Sequence, residues 1–248
     1  MNWESSIFNF LLNFFKRKEE NLSMRLYIDS ANFEQIERIN EYYPISGVTT
    51  NPSILVKEKK PYIQVLQDIR KIIGEEKELF IQVIADNASE IVKEAEYFQT
   101  RISGKIIIKI PVTVEGIKAI KALTAKKIPT LATTIYTPFQ ALIAAKAGAK
   151  YVAPYVNRID DLSGDGIRVV SEIITLFTTH KISTEVLAAS FKNVQQVYEA
   201  CLTGAHTITV APEIIEKLID FPATTRDVRV FQSQWKDTFG KAGNPLLK

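Results

Sequence analysis

Eight short apolar runs, each followed by a longer amphipathic segment, leave this chain few folds to choose from. The runs cover residues 26–29, 47–50, 79–84, 105–110, 130–134, 151–156, 185–190 and 207–210. Most are rich in Val, Ile and Thr, as strands buried on both faces are. The amphipathic segments cover residues 33–42, 62–73, 89–98, 114–125, 138–147, 166–177, 194–202 and 212–219. Within the second of them Ile63, Leu66, Ile69 and Ile73 keep a helical spacing. Pro138 and Pro212 suit first-turn positions, and Gly148 and Gly204 suit helix C-terminal caps. Eight strand–helix units predict an α/β fold, a closed (β/α)₈ TIM barrel. An open doubly wound sheet is the alternative, although no Gly-x-Gly-x-x-Gly loop follows the first run. A further segment, residues 226–239, carries Val230, Phe231, Trp235 and Phe239 at helical spacing. It predicts an extra C-terminal helix that covers the barrel or docks on another subunit.

Composition excludes several classes. The 248 residues are 46% hydrophobic, enough for a large core, and carry a formal charge of only +3. No basic cluster is interleaved with aromatics, so nucleic-acid binding is not expected. A slight positive bias suits an anionic small substrate. Cys201 is the only cysteine, which excludes an internal disulfide and fits a reducing cytoplasm. No apolar run reaches membrane-spanning length. Residues 1–23 stand apart, with an apolar stretch at 7–15 followed by Lys16, Arg17 and Lys18. A secretory leader has the opposite order. The segment reads either as an amphipathic helix touching a partner or a membrane surface, or as an extension ahead of a natural start at Met24. The expected layout is an extension over 1–23, a barrel over 24–223, and a terminal helix and tail over 224–248.

Barrel active sites lie where the strands end. Lys109 sits inside the apolar run Lys105-Ile106-Ile107-Ile108-Lys109-Ile110-Pro111. A buried ammonium is costly, and desolvation favours the neutral amine, which can attack a carbonyl and form a Schiff base. Around it the strand ends carry Asp29, Thr49, Thr50, Asn51, Gln82, Thr133, Tyr155, Asn157, Arg158 and Ser190. Plainer roles exist for each. Lys109 could snorkel or pair with a carboxylate. Asp29 and Ser190 could cap the helices that follow. Arg158 could pair with Asp160 or Asp161. Gln82 and Thr133 could be satisfied core polars. Together they suggest breakage of a carbon–carbon bond beside a ketone held as an iminium. Asp29 or Tyr155 would act as base, directly or through a water held by Gln82 and Thr133. Asn51 and Asp29 would orient hydroxyls, and Arg158 and Ser190 would bind a phosphate. His180 and His206 are too few and too far apart for a metal site. Cys201 reads as a core residue.

Five segments then carry a family resemblance. They are Leu26-Tyr27-Ile28-Asp29, Gly47-Val48-Thr49-Thr50-Asn51-Pro52-Ser53 and Ile108-Lys109-Ile110-Pro111-Val112-Thr113. The others are Tyr151-Val152-Ala153-Pro154-Tyr155-Val156-Asn157-Arg158-Ile159-Asp160 and Val186-Leu187-Ala188-Ala189-Ser190-Phe191-Lys192. The chain resembles the small transaldolases and fructose-6-phosphate aldolases from Met24 to about Gly240. The resemblance implies a (β/α)₈ barrel and a Lys109 Schiff base. It also implies a sugar-phosphate substrate, no metal or other cofactor, and a ring-shaped homo-oligomer whose terminal helix lies on a neighbour. Thr49 and Ala153 join the expected substrate-binding set. Transaldolases of this family tend to carry Glu, Phe and Ser where this chain has Gln82, Tyr155 and Ala153, so these residues resemble the aldolase pattern. The expected function is reversible cleavage of fructose 6-phosphate to dihydroxyacetone and glyceraldehyde 3-phosphate. A transaldolase of the pentose phosphate pathway is the alternative. A non-catalytic sugar-phosphate binding protein is the remote one.

Overall fold

A computed structural model describes residues 24–240, so the expected N-terminal extension and the last eight residues lie outside the described part. Eight parallel strands alternate with helices. The first half runs β1 (Arg25–Asp29), α1 (Phe33–Tyr42), β2 (Gly47–Thr49), α2 (Pro52–Leu55), α3 (Tyr62–Ile73), β3 (Glu78–Gln82), α4 (Ala88–Arg101), β4 (Ile106–Pro111) and α5 (Val114–Ala125). The second half runs β5 (Thr130–Ile135), α6 (Pro138–Lys146), β6 (Tyr151–Pro154), α7 (Val156–Asp160), α8 (Gly166–Thr179), β7 (Glu185–Ala188), α9 (Val194–Leu202), β8 (Thr207–Val210), α10 (Pro212–Lys217) and α11 (Pro222–Phe239). β1 pairs with both β2 and β8, which closes the barrel and eliminates the open sheet.

Several expected boundaries shift for local reasons. The helix after β1 is capped by Asn32, whose side chain accepts from the Gln35 amide at 3.0 Å. The helix after β7 is capped by Asn193 in the same way, from Gln196 at 2.9 Å. Capping therefore does not account for Asp29 or Ser190. The sixth strand ends at Pro154, short of the expected 156, and the chain turns directly into α7. Gly166 lets the start of α8 pack closely on the start of α7, because a Cβ there would meet the Val156 carbonyl oxygen at 2.3 Å. Short α2 gave no periodic signal, since four residues complete barely one turn.

The compact unit that ends at Pro212 holds the barrel, and a second unit begins at Glu213. In the second, α11 is helical through and beyond the expected span, and Val230, Phe231, Trp235 and Phe239 are exposed.

The barrel interior is built in layers set by the two-residue period of a strand. The middle layer packs Tyr27, Phe80, Ile107, Leu131, Tyr151 and Leu187 with Ala153 and Ala189. Tyr27 meets Phe80 edge-on, with centroids 5.1 Å apart. Two residues earlier along β1 and β3 the same faces carry Arg25 and Glu78, and the first residue of β7 is Glu185. There Glu78 accepts from Tyr27 Oη at 2.6 Å, from Tyr151 Oη at 2.9 Å and from Lys150 Nζ at 2.7 Å. Arg25 joins Glu185 and donates to Tyr151 Oη at 3.0 Å. Two residues later than the middle layer come Asp29, Gln82, Lys109, Thr133 and Tyr155.

The charged layer makes stability depend on acid. Burial alone raises the Glu78 carboxyl. Hydrogen bonds from Lys150 and Tyr27, the Lys150 charge and the Tyr151 hydroxyl outweigh it and hold the group below the usual range. A carboxyl lowered on folding contributes stability that is present above its unfolded value, about pH 4.3, and lost as pH falls through the folded value. His206, lowered by burial and by Arg25, contributes in the same sense from about pH 6.5 downward. We expect the urea midpoint to fall in two stages on acidification. Glu78→Gln should cost about 2 kcal/mol at pH 7 and remove the lower stage. An unchanged lower stage in that variant would clear Glu78 of the effect.

Candidate active site

The site forms at the carboxyl end of the barrel, where a cavity of about 250 Å³ is lined by Asp29, Asn51, Gln82, Lys109, Tyr155 and Arg158, with Ser190 and Thr209. A wider groove of about 900 Å³ runs along α8 and α9. It holds the carboxylates Asp165, Glu172 and Glu199 but no buried amine, so size does not identify the site.

Lys109 is 6% exposed, two residues beyond core Ile107 on β4. It does not snorkel. Its Nζ donates to the Thr50 carbonyl oxygen at 2.8 Å. Burial lowers its pKa below the ordinary lysine value. The Asp29 carboxylate opposes this shift and the Arg158 guanidinium adds to it. The balance favours a nucleophilic amine. Gln82 is its register partner on β3. Thr50 is held in turn, its amide and hydroxyl both donating to the Phe80 carbonyl, at 3.1 and 2.9 Å.

Tyr155 follows β6 and bridges to Ala189 of the neighbouring chain segment. Its hydroxyl lies 2.8 Å from Thr133 Oγ1. Burial raises the phenol; the Thr133 hydrogen bond and Arg158 temper this, and Asp29 adds to it. A raised phenol stays protonated at neutral pH and is suited to donate a proton. The Arg158 guanidinium lies 4.7 Å from the Tyr155 ring centroid. The Asp160 and Asp161 carboxylates are engaged elsewhere, by Gly166, Gln196 and Asn157. The surface ion pair considered for Arg158 is thus replaced by a cation over a ring. Ser190 has φ 65°, a left-handed conformation, and its carbonyl accepts from the Asn157 amide at 2.8 Å, which ties the β6 and β7 ends together.

Not every expected residue reaches the cavity wall. Asn51 lines it, and its Oδ1 accepts from the Ile54 amide at 3.1 Å, which caps α2. Thr133 lies behind Tyr155, fully buried. Thr49 is fully engaged below the wall: its hydroxyl donates to Asp29 Oδ1 at 2.7 Å and meets Thr209 Oγ1 at 2.6 Å. Ala153 belongs to the packed middle layer, not to the wall. Sequence reasoning missed Pro52, Ser53, Thr134, Ala189 and Thr209, which line the cavity. Thr209 had a usable signal, because it sits at an alternate position of the eighth run. Thr134 had none: it has φ 58° where the β5–β6 register shifts. Among the described residues no group of three or more His, Cys, Asp or Glu side chains is placed to hold a metal ion. No described helix is long and apolar enough to cross a membrane.

Fold and site together define a (β/α)₈-barrel protein with a buried lysine amine at the carboxyl end of its strands. A family model described as Transaldolase/Fructose-6-phosphate aldolase matches residues 26–244, and the chain belongs to that family. Among solved structures it is similar to a flavocytochrome b2 variant with sulfite bound, at a TM-score of 0.56 and 11% identity. The match covers 77% of this chain and 57% of that one. At that identity the likeness shows the fold alone.

Proposed function

We propose that the protein is a class I aldolase that cleaves fructose 6-phosphate reversibly to dihydroxyacetone and glyceraldehyde 3-phosphate. The observation that carries this reading is the Lys109 amine, buried, lowered in pKa and opening on the same cavity as Tyr155. Neutral Lys109 adds to the C2 carbonyl, and loss of water gives an iminium. The C3–C4 bond then breaks: its electron pair moves toward the iminium nitrogen, and the C4 hydroxyl gives up its proton. A water held by Gln82 and by Tyr155, whose hydroxyl Thr133 holds from behind, accepts that proton and returns it to the phenol once Tyr155 has protonated C3. Glyceraldehyde 3-phosphate leaves with its phosphate on Arg158 and Ser190. The remaining enamine takes a proton at C3 from Tyr155, and hydrolysis frees dihydroxyacetone and Lys109. Asp29 and Asn51 orient the substrate hydroxyls.

A transaldolase would share every step up to the enamine and then pass the three-carbon unit to an aldose phosphate. Gln82 and Tyr155 favour release over transfer, because a phenol can protonate the enamine and a phenyl ring cannot. The test is glyceraldehyde 3-phosphate release from fructose 6-phosphate, with and without erythrose 4-phosphate. Release without acceptor is expected; release only with acceptor would establish the transaldolase. Tyr155→Phe should lower free cleavage about 100-fold and transfer much less.

A further inference from the structure

Ser53, Thr134 and Thr209 line the cavity without a part in the proposed chemistry, and Thr209 is the one hydrogen-bonded toward Asp29. Thr209 lies on β8, lines the cavity and is 3% exposed. Its Oγ1 is 2.6 Å from Thr49 Oγ1, and Thr49 Oγ1 is 2.7 Å from Asp29 Oδ1. The direction of these bonds follows from chemistry. A carboxylate only accepts, and a hydroxyl has a single proton to give. Thr49 gives its proton to Asp29, so the proton between the two threonines comes from Thr209. The chain runs from Thr209 through Thr49 to Asp29.

We propose that Thr209 is a positioning residue for the chemistry at Lys109: it orients the Thr49 hydroxyl, which holds one oxygen of Asp29 and leaves the other to a substrate hydroxyl. The inference rests on the aldolase reading. Packing does not require a hydroxyl at this point. Valine has the same shape, suits a strand equally and has no polar atom to desolvate. Stability does not require it either. Without Thr209, Thr49 still donates to Asp29 and loses only a lone-pair contact, so no buried donor is orphaned. What changes is the orientation and polarisation of the last bond, because linked hydroxyls strengthen one another. Asp29 also bears on both reacting groups, raising Lys109 and Tyr155 alike. A carboxylate held by a weaker, less directed bond would disturb substrate alignment and both of these influences, which is a kinetic effect and not a folding one.

The experiment is a double-mutant cycle on the full-length protein with fructose 6-phosphate, using Thr209→Val, Asp29→Asn and the pair. Borohydride trapping of the ketose on Lys109 is run alongside. Thr209→Val should lower kcat about tenfold with KM within about twofold, and Thr209→Ser should restore most of it. In the Asp29→Asn background the valine should add nothing, because the residue it acts through is already gone. If the valine variant does not fold, Thr209→Ala enters the same cycle. Penalties that multiply independently overturn the inference while trapping in the wild type preserves the aldolase reading. No trapping in the wild type overturns both.

Discussion

Lys109→Met should leave no cleavage above background and give a more stable protein. Methionine nearly matches lysine in length and shape but has no amine, so no imine forms and the step that splits the barrier is lost. At least a 1,000-fold drop in kcat is expected, on the order seen when a covalent catalyst is removed. Stability moves the other way. Lys109 is buried, and its pKa is lowered chiefly by burial. A lysine lowered on folding binds fewer protons than in the unfolded chain between the two pKa values, so its stabilising share is present above the unfolded value, about 10.4, and is lost as pH falls through the folded value. Removing the amine removes that penalty, and the expected gain is about 1–3 kcal/mol in urea unfolding at pH 7. The Thr50 carbonyl loses its Lys109 partner in the variant, which limits the gain. Turnover that survives the substitution would sink the Schiff-base mechanism. A variant less stable than wild type would show that the amine is well solvated in place.

Gly47→Ala should unfold the protein or cost more than about 4 kcal/mol, a large part of the stability of an ordinary domain. A Cβ at position 47 would lie 1.9 Å from the Glu78 carbonyl oxygen and 2.8 Å from its carbon. Backbone is the neighbour that would have to yield, and it is pinned on both sides. Gly47 pairs with Tyr27 and with Glu78, and the Glu78 side chain is held by Tyr27, Tyr151 and Lys150. Parting β2 from β3 would also displace Thr50, whose carbonyl receives the Lys109 amine. Soluble yield and the urea midpoint report the outcome. A variant of wild-type stability would mean that β2 can move away from β3 at little cost.

Much of the site was legible because a strand repeats every two residues. Asp29 follows Tyr27, Gln82 follows Phe80, Lys109 follows Ile107 and Thr133 follows Leu131, each one step beyond a core side chain. Applied to the eighth run, the same step finds Thr209. The two caps were less legible. Asp29 and Asn32, like Ser190 and Asn193, are both capping types within three residues, and propensity does not choose between them. The choice depends on where the helix axis meets the barrel, which packing sets. Thr134 is harder still, since a β-branched residue at positive φ contradicts its own preference and is held there by the β5–β6 register shift.

The sequence by itself determined the eight strand–helix units, the alternation that turns one face of each strand inward, and an amine on the inner face of the fourth. These depend on neighbours a few residues away, so local pattern specifies them. Only the tertiary structure decided that β1 closes on β8, that helix caps leave Asp29 and Ser190 to the cavity, and that Thr209, Thr49 and Asp29 form one chain of hydrogen bonds. Thr49 and Thr209 are 160 residues apart in the chain. Such partners are chosen by closing the whole barrel in one register, a property of all eight strands together and of no segment alone.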